Sequence, residues 1–176
     1  MMLEEILSKP GYLHILINHL PIIGTAMGAL ALLVALLLRS RPAQITALVV
    51  VFVAASSAWP VFVTGQQAYK PVRGLVDDAG SDWLDEHMDR AEKTIYAFYL
   101  LAVVALAGLI APHWWPRTAT PLAIASGALS LVCFALAGYI AQPGGRVSHP
   151  EFRPAKLQEH AANTLHSLTS RYSADA

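Results

Sequence analysis

The chain has 176 residues, of which 55% are hydrophobic and 14% are charged, and its formal net charge is zero. Soluble domains carry roughly 25% charged residues, so this composition argues against a soluble fold. The Lys and Arg residues form no basic stripe of the kind that holds phosphates, which argues against nucleic acid as a partner. A single cysteine, Cys133, excludes an internal disulfide and a thiolate metal cluster.

Four apolar stretches set the expected fold. A helix needs roughly 20 apolar residues to cross about 30 Å of hydrocarbon. The stretches that approach this length are residues 21–38, 43–64, 94–111 and 121–141. The sequence therefore predicts an all-α membrane protein, with a four-transmembrane-helix bundle over residues 1–150 and a lipid bilayer around it. Residues 151–176 are expected to form a tail with a short amphipathic helix, because apolar side chains recur there at helical spacing.

The segment before the first span, HILINHLP, contains two histidines and a proline. Pro21 disfavours the α conformation at Leu20, so we expect the part with His14 and His19 to form a separate short helix. In the second span, Pro60 lacks an amide hydrogen and should kink the helix near its end.

The third span is expected to begin before the membrane does, with Ser81 or Asp82 as its N-cap. Further along this helix, Glu86 and Arg90 have the spacing of an ion pair, and His87 shares a stripe with Arg90.

The fourth span runs into the string QPGGRVSHP. Pro143 and the following glycine pair predict the end of the helix there, followed by a sharp turn over the bundle. This turn would bring Arg146 and His149 back toward the other helices.

The connections between the spans alternate between short and long, so the two ends of the bundle differ. We define the histidine end as the N-terminal segment, the loop from residue 65 to 93, and the chain from residue 142 onward. It contains His14, His19, His87, His149, His160 and His166. The opposite end is the plain end. Since Arg39 and Arg41 follow the first span at the plain end, the positive-inside rule predicts a multi-pass protein of a bacterial inner membrane with its histidine end in the periplasm.

Imidazoles from facing helices are a common way for a helical bundle to hold haem iron. We expect His19 and His87 to be the axial ligands of a b-type haem. His14 and His149 would hold a second haem or support the first pair, and Arg90 and Arg146 would contact the haem propionates. The predicted function is that of an electron-transfer subunit, which exchanges electrons with a redox partner, a quinone or a larger membrane complex and is not a self-contained enzyme.

Two alternatives use the same residues. The four histidines His14, His19, His87 and His149 could instead bind copper or zinc, provided that three of them converge on one ion. Alternatively, the bundle is a structural or assembly subunit without a cofactor, and its histidines only anchor helix ends at the membrane surface.

The residues at the histidine end resemble those of a family of predicted bacterial membrane proteins, domain of unknown function 2231. That pattern has two histidines five residues apart ending in His-aromatic-Pro, a Thr-Gly pair after the second span, a histidine opening the third, and a Gly-Gly pair closing the fourth. Leu20 stands at the aromatic position here. The matching residues here are His14, His19, Pro21, Thr64, Gly65, His87, Gly144 and Gly145. The resemblance covers roughly residues 12–150, and it implies a redox role because the family is linked to Rieske and cytochrome c domains. Where the family continues to His-Gly, this chain has RVSHP.

Overall fold

The computed structural model describes residues 9–154, and the regular elements in this range are all helical. The predicted amphipathic helix of the tail falls almost wholly beyond residue 154 and lies outside the described residues.

Six α-helices follow one another along the described part of the chain. They are α1 (Pro10–Ile17), α2 (His19–Leu37), α3 (Arg41–Ser56), α4 (Ala58–Arg73), α5 (Asp78–Ile110) and α6 (Ala119–Ser148). Short 3-10 turns lie at Ala111–His113, Pro116–Thr118 and Pro150–Phe152. These elements make four helical units that are long and apolar enough to cross a membrane: Pro10–Leu37, Arg41–Arg73, Asp78–His113 and Pro116–Ser148. The prediction of an all-α chain with four long apolar helices is confirmed.

The four units form an up-and-down bundle in which each unit packs against two neighbours. The packed pairs are α2 with α3, α3 with α5, α5 with α6, and α6 with α2. The first and third units are therefore diagonal to each other across the bundle. At the histidine end, α1 packs against α4, and α4 packs against α5. This arrangement directs side chains of the two diagonal units toward a common axis.

Two glycines bring α2 and α3 into close contact. A Cβ atom on Gly24 would lie 2.5 Å from the Cβ of Ala54, and one on Gly28 would lie 2.5 Å from a methyl group of Val51. Such distances are possible only without a side chain. The small residues of the first unit are thus used for helix packing in the middle of the bundle.

The first and second units are each interrupted three residues before a proline. The first breaks at Asn18 before Pro21, and the second breaks at Ser57 before Pro60. Proline lacks the amide hydrogen that would continue the helical ladder, which accounts for both positions. The helix is interrupted at Ser57, close to the predicted kink at Pro60, and the separate short helix predicted for His14 is confirmed. His19, however, belongs to α2.

The predicted N-cap of α5 is wrong. Asp77 is the N-cap, and its Oδ1 accepts a hydrogen bond from the amide of Gly80 at 2.8 Å. The same carboxylate accepts hydrogen bonds from Arg153 at 2.6 and 2.9 Å. This buried guanidinium holds the pKa of Asp77 below its usual value. The hydrogen bonds from Arg153 hold the Asp77 carboxylate in place, and this favours Asp77 as the N-cap over Ser81 and Asp82.

The predicted end of the fourth unit at Pro143 is also wrong, because α6 continues through the proline and both glycines to Ser148. Proline at this position leaves the carbonyl of Tyr139 without its usual amide donor. Arg90 replaces that donor, with its Nη1 atom 2.8 Å from the Tyr139 oxygen. Arg90 of α5 thus supplies the hydrogen bond to this carbonyl that the backbone of α6 cannot make.

Candidate histidine site

His14 of α1 and His87 of α5 face each other at the histidine end of the bundle. Their ring centroids are 6.3 Å apart, and the ring planes are nearly perpendicular, at 86°. The two side chains come from the diagonal units, so their rings meet between the helices. The structure thus brings together two of the four predicted ligand histidines.

Each of these imidazoles is fixed by a backbone carbonyl of a neighbouring helix. Nδ1 of His14 lies 2.9 Å from the oxygen of Val61, and Nδ1 of His87 lies 2.8 Å from the oxygen of Ile140. A carbonyl oxygen can only accept, so Nδ1 carries the hydrogen in both rings. In the neutral imidazole the lone pair is then on Nε2. Both rings therefore have the tautomer and the outer hydrogen bond of a metal-ligating histidine.

A glycine follows each of these carbonyls by four residues and packs against the ring. A Cβ on Gly65 would lie 3.0 Å from Cε1 of His14, and a Cβ on Gly144 would lie 2.9 Å from Nδ1 of His87. A larger residue at either position would push against the imidazole. Carbonyl and glycine together form what we name a ring seat.

The two ring seats are built in the same way by the two halves of the bundle. In the first half, His14 is near the start, and the second unit supplies Val61 and Gly65. In the second half, His87 is near the start of α5, and α6 supplies Ile140 and Gly144. The bundle therefore pairs two helical hairpins, and each contributes one held imidazole.

A cavity of about 410 Å³ lies between α1, α4, α5 and α6 and includes both histidines in its wall. This volume falls within the range of small-molecule pockets, roughly 300–1,000 Å³. Most of the lining is apolar, as at Phe62, Ile95 and Phe98. Among the described residues that line it there is no Asp, Glu, Lys or Arg. The cavity thus suits a largely apolar group that is held by the two imidazoles.

Polar contacts are few in this cavity. Besides the histidines, the polar side chains in the wall are Asn18, Tyr69 and Ser148. The Oδ1 atom of Asn18 is buried and has no hydrogen-bond partner within residues 9–154. The Tyr69 hydroxyl donates to Asp85, which also pairs with Arg73, and this contact closes the wall between α4 and α5.

The predicted pairing of His19 with His87 is not the one that the structure shows. His19 is exposed, and its Nδ1 atom donates to the carbonyl of Ile15 at 3.2 Å. It does not line the cavity. His19 follows the break at Asn18 and begins α2, so it is not part of the helix that brings His14 to the cavity.

The predicted pairing of His14 with His149 is also not formed. His149 is exposed at the end of α6, where its Nδ1 atom lies 2.9 Å from a Glu151 carboxylate oxygen and its ring stacks on Phe152 at 5.0 Å. Because α6 does not end at Pro143, the chain does not turn back early enough to place this ring over the cavity.

Neither predicted propionate contact lines the cavity. Arg90 forms the predicted ion pair with Glu86 at 2.7 Å and binds the carbonyl of Tyr139. Arg146 lies over the ring of Trp83, 4.5 Å from its centroid, and donates to the carbonyl of Phe152 at 3.2 Å. Both arginines are adjacent in sequence to lining residues, Ala91 and Gly145.

In the part of the chain that the structure describes, no group of three His, Cys, Asp or Glu side chains is placed to hold a metal ion. The site offers two nitrogen donors from the protein. The roles of the Val61 and Ile140 carbonyls were not predicted, because no residue type signals a backbone acceptor, and Asn18 was not predicted either. Gly65 and Gly144 belong to motifs that the sequence displays, but their contact with the histidine rings depends on how separate helices pack.

Comparison with known proteins gives no relative for this chain. No protein-family model matches it, and neither does a curated protein or a solved structure. The resemblance to domain of unknown function 2231 stays a prediction.

Proposed function

We propose that this chain is a membrane-embedded haem b protein that works as an electron-transfer subunit, with His14 and His87 as the axial ligands of one haem. The separation of the two rings carries the proposal. Two imidazoles that share one metal ion must each bring a nitrogen to within about 2 Å of it, so their rings have to lie close together around a common point. The distance between His14 and His87 is 6.3 Å.

The state of the two rings supports the same conclusion. Axial ligation of haem iron needs an unprotonated nitrogen, and the hydrogen bonds to Val61 and Ile140 leave that lone pair on Nε2. The ring seats hold both side chains in place before a ligand arrives, which reduces the ordering cost of binding. When bound, the haem would supply a one-electron redox centre at the histidine end.

The lining of the cavity fits a porphyrin better than a bare ion. Apolar side chains such as Phe62 and Phe98 suit the faces and edges of a macrocycle. Since no charged side chain lines the cavity, the two haem carboxylates would extend past its rim. Arg146 and Arg90 stay the candidate contacts there, beside the lining residues Gly145 and Ala91.

One haem is proposed in place of two. His19 and His149 are exposed and make local contacts with Ile15 and Glu151, so they support no second axial pair. A zinc or copper site built from three histidines is less favoured, because the described residues bring two imidazoles together and a zinc ion takes at least three protein ligands.

Insertion in a membrane is part of the proposal. The outer surface of the four units exposes large apolar side chains along their length, among them Leu33, Val103 and Leu131, which are 54%, 64% and 60% exposed. Contiguous apolar surface on this scale is costly in water and is expected against lipid. We place the histidine end in the periplasm of a bacterial inner membrane, following Arg39 and Arg41 at the plain end.

The proposal is tested by purifying the full chain in detergent from haem-replete cells. We expect a Soret band, with one haem per chain by pyridine haemochromogen assay. His14→Ala and His87→Ala should each lose the haem, whereas His19→Ala and His149→Ala should keep it. A colourless wild-type protein, or a His14→Ala variant with unchanged haem content and spectrum, would contradict the proposal.

A further inference from the structure

The two ring seats differ in one respect. The carbonyl of Val61 accepts a hydrogen bond from His14 Nδ1 at 2.9 Å and another from the hydroxyl of Thr64 at 3.0 Å. The Thr64 hydroxyl also donates to the carbonyl of Pro60 at 2.8 Å. The acceptor of His14 therefore serves two side chains at once.

The second seat has no such competitor. His87 Nδ1 lies 2.8 Å from the oxygen of Ile140, and no side-chain hydroxyl within residues 9–154 donates to that oxygen. The residue before the seat glycine is Thr64 in the first seat and Pro143 in the second. Proline has no hydroxyl, so the carbonyl of Ile140 accepts a side-chain hydrogen bond from the imidazole of His87 without competition from the residue at position 143.

Two donors on one carbonyl oxygen weaken each other, because each withdraws electron density that the other would use. A weaker hydrogen bond at Nδ1 makes the imidazole a weaker donor to a metal at Nε2, since the outer partner raises the basicity of the ligand. His14 should thus bind ferric iron less strongly than it would with a carbonyl of its own.

We infer that Thr64 is a positioning residue that tunes the redox potential of the site by sharing the Val61 carbonyl with His14. The inference rests on the proposed function, because it needs a haem between His14 and His87. In physical terms, Thr64 raises the midpoint potential: with a weaker axial donor, the ferric state loses more stabilisation than the ferrous state.

The chain provides a matched control at Thr25. Its hydroxyl donates to the carbonyl of Pro21 at 2.7 Å and to that of Ile22 at 3.1 Å. This is the same arrangement of proline, carbonyl and threonine as at Thr64, but no histidine shares the Ile22 oxygen in the described structure. Both threonines are buried, so the same substitution at the two sites separates the effect on the imidazole from the effect on the helix.

The experiment compares Thr64→Val, Thr64→Ser and Thr25→Val in the full chain. Each variant is assayed for its Soret band, its midpoint potential by redox titration, and the NMR shift of the His14 Nδ1 proton in haem-free protein. We expect Thr64→Val to lower the midpoint potential by the equivalent of about a fivefold to tenfold change in the ratio of ferric to ferrous affinity, at most about 59 mV. Thr64→Ser and Thr25→Val should stay near the wild-type value.

The NMR measurement on haem-free protein tests the role of Thr64 separately from the proposed binding of haem. Thr64→Val should move the His14 Nδ1 proton downfield, as expected for a stronger hydrogen bond, and leave that of His87 unchanged. A wild-type protein without a Soret band would overturn the proposed function and the redox part of this inference. A wild-type protein with haem, and equal potentials in Thr64→Val and Thr25→Val, would overturn the inference alone.

Discussion

Arg90 donates from Nη1 to the carbonyl oxygen of Tyr139 at 2.8 Å, and its guanidinium lies 4.0 Å from the centroid of the Tyr139 ring. The carbonyl is the one that Pro143 leaves without a helical amide donor. It lies next to Ile140, whose carbonyl holds His87. The arginine thus supports the segment of α6 that forms the second ring seat.

We therefore expect Arg90→Ala to destabilise the bundle by about 1 kcal/mol, because the charged donor to the solvent-accessible carbonyl of Tyr139 is lost. Thermal unfolding in detergent measures the effect. Pro143→Ala restores the amide donor, so it should recover part of the loss in the double variant. Lys93→Ala is the control, since the Lys93 pair with Asp89 is exposed and contributes little. Equal losses in Arg90→Ala and Lys93→Ala would contradict the role of Arg90.

The glycines of the ring seats should be intolerant of side chains. Gly65→Ala and Gly144→Ala place a methyl group 3.0 and 2.9 Å from the imidazoles of His14 and His87. Each variant should displace its ring and lower the haem content, which the ratio of Soret to protein absorbance reports. Gly138→Ala is the matched control on α6, where an added Cβ meets open space. Haem content that is unchanged in all three variants would show that the seats do not position the ligands.

The angle between the rings predicts an electronic signature. At 86° the planes of His14 and His87 are nearly perpendicular, so in the proposed haem complex the two imidazoles would not favour the same iron d orbital. The ferric protein should give a strongly anisotropic low-spin signal in electron paramagnetic resonance at low temperature. A rhombic spectrum typical of parallel imidazoles would mean that the rings rotate when the haem binds.

Much of this arrangement follows from sequence, and some of it cannot. The four apolar units, the breaks before Pro21 and Pro60, and the ion pair of Glu86 with Arg90 all depend on local spacing, which a single sequence displays. That His14 and not His19 faces His87 depends on how α1 packs against α4. Likewise, α6 continues past Pro143 because of an arginine on another helix. Both are properties of tertiary packing that spacing along one helix does not determine.

The ion pair of Asp77 with Arg153 predicts a pH dependence of stability. The pKa of Asp77 is lowered in the folded protein, first by its hydrogen bond to Arg153. The stabilisation is therefore present above the pKa of the unfolded chain, about 3.9 for Asp, and is lost as the pH falls through the lower folded value. Asp77→Asn keeps a good N-cap and removes the charge.

At neutral pH, Asp77→Asn should cost up to about 1 kcal/mol, because the Asp77 side chain is 53% exposed and solvent screens the pair. The difference between variant and wild type should shrink between pH 4 and the folded pKa of Asp77, which thermal unfolding at a series of pH values would follow. Asp89→Asn, in an exposed pair, is the control. A difference that is constant down to pH 2 would contradict a role for the charge.

The matching ring seats have a consequence for the assembly of the protein. Neither hairpin holds both imidazoles, so a chain with only its first two units in place has half of a ligand set. A group ligated by both rings would fasten the early half of the polypeptide to the late half. Occupancy of the site would then report that biogenesis of the whole bundle is complete.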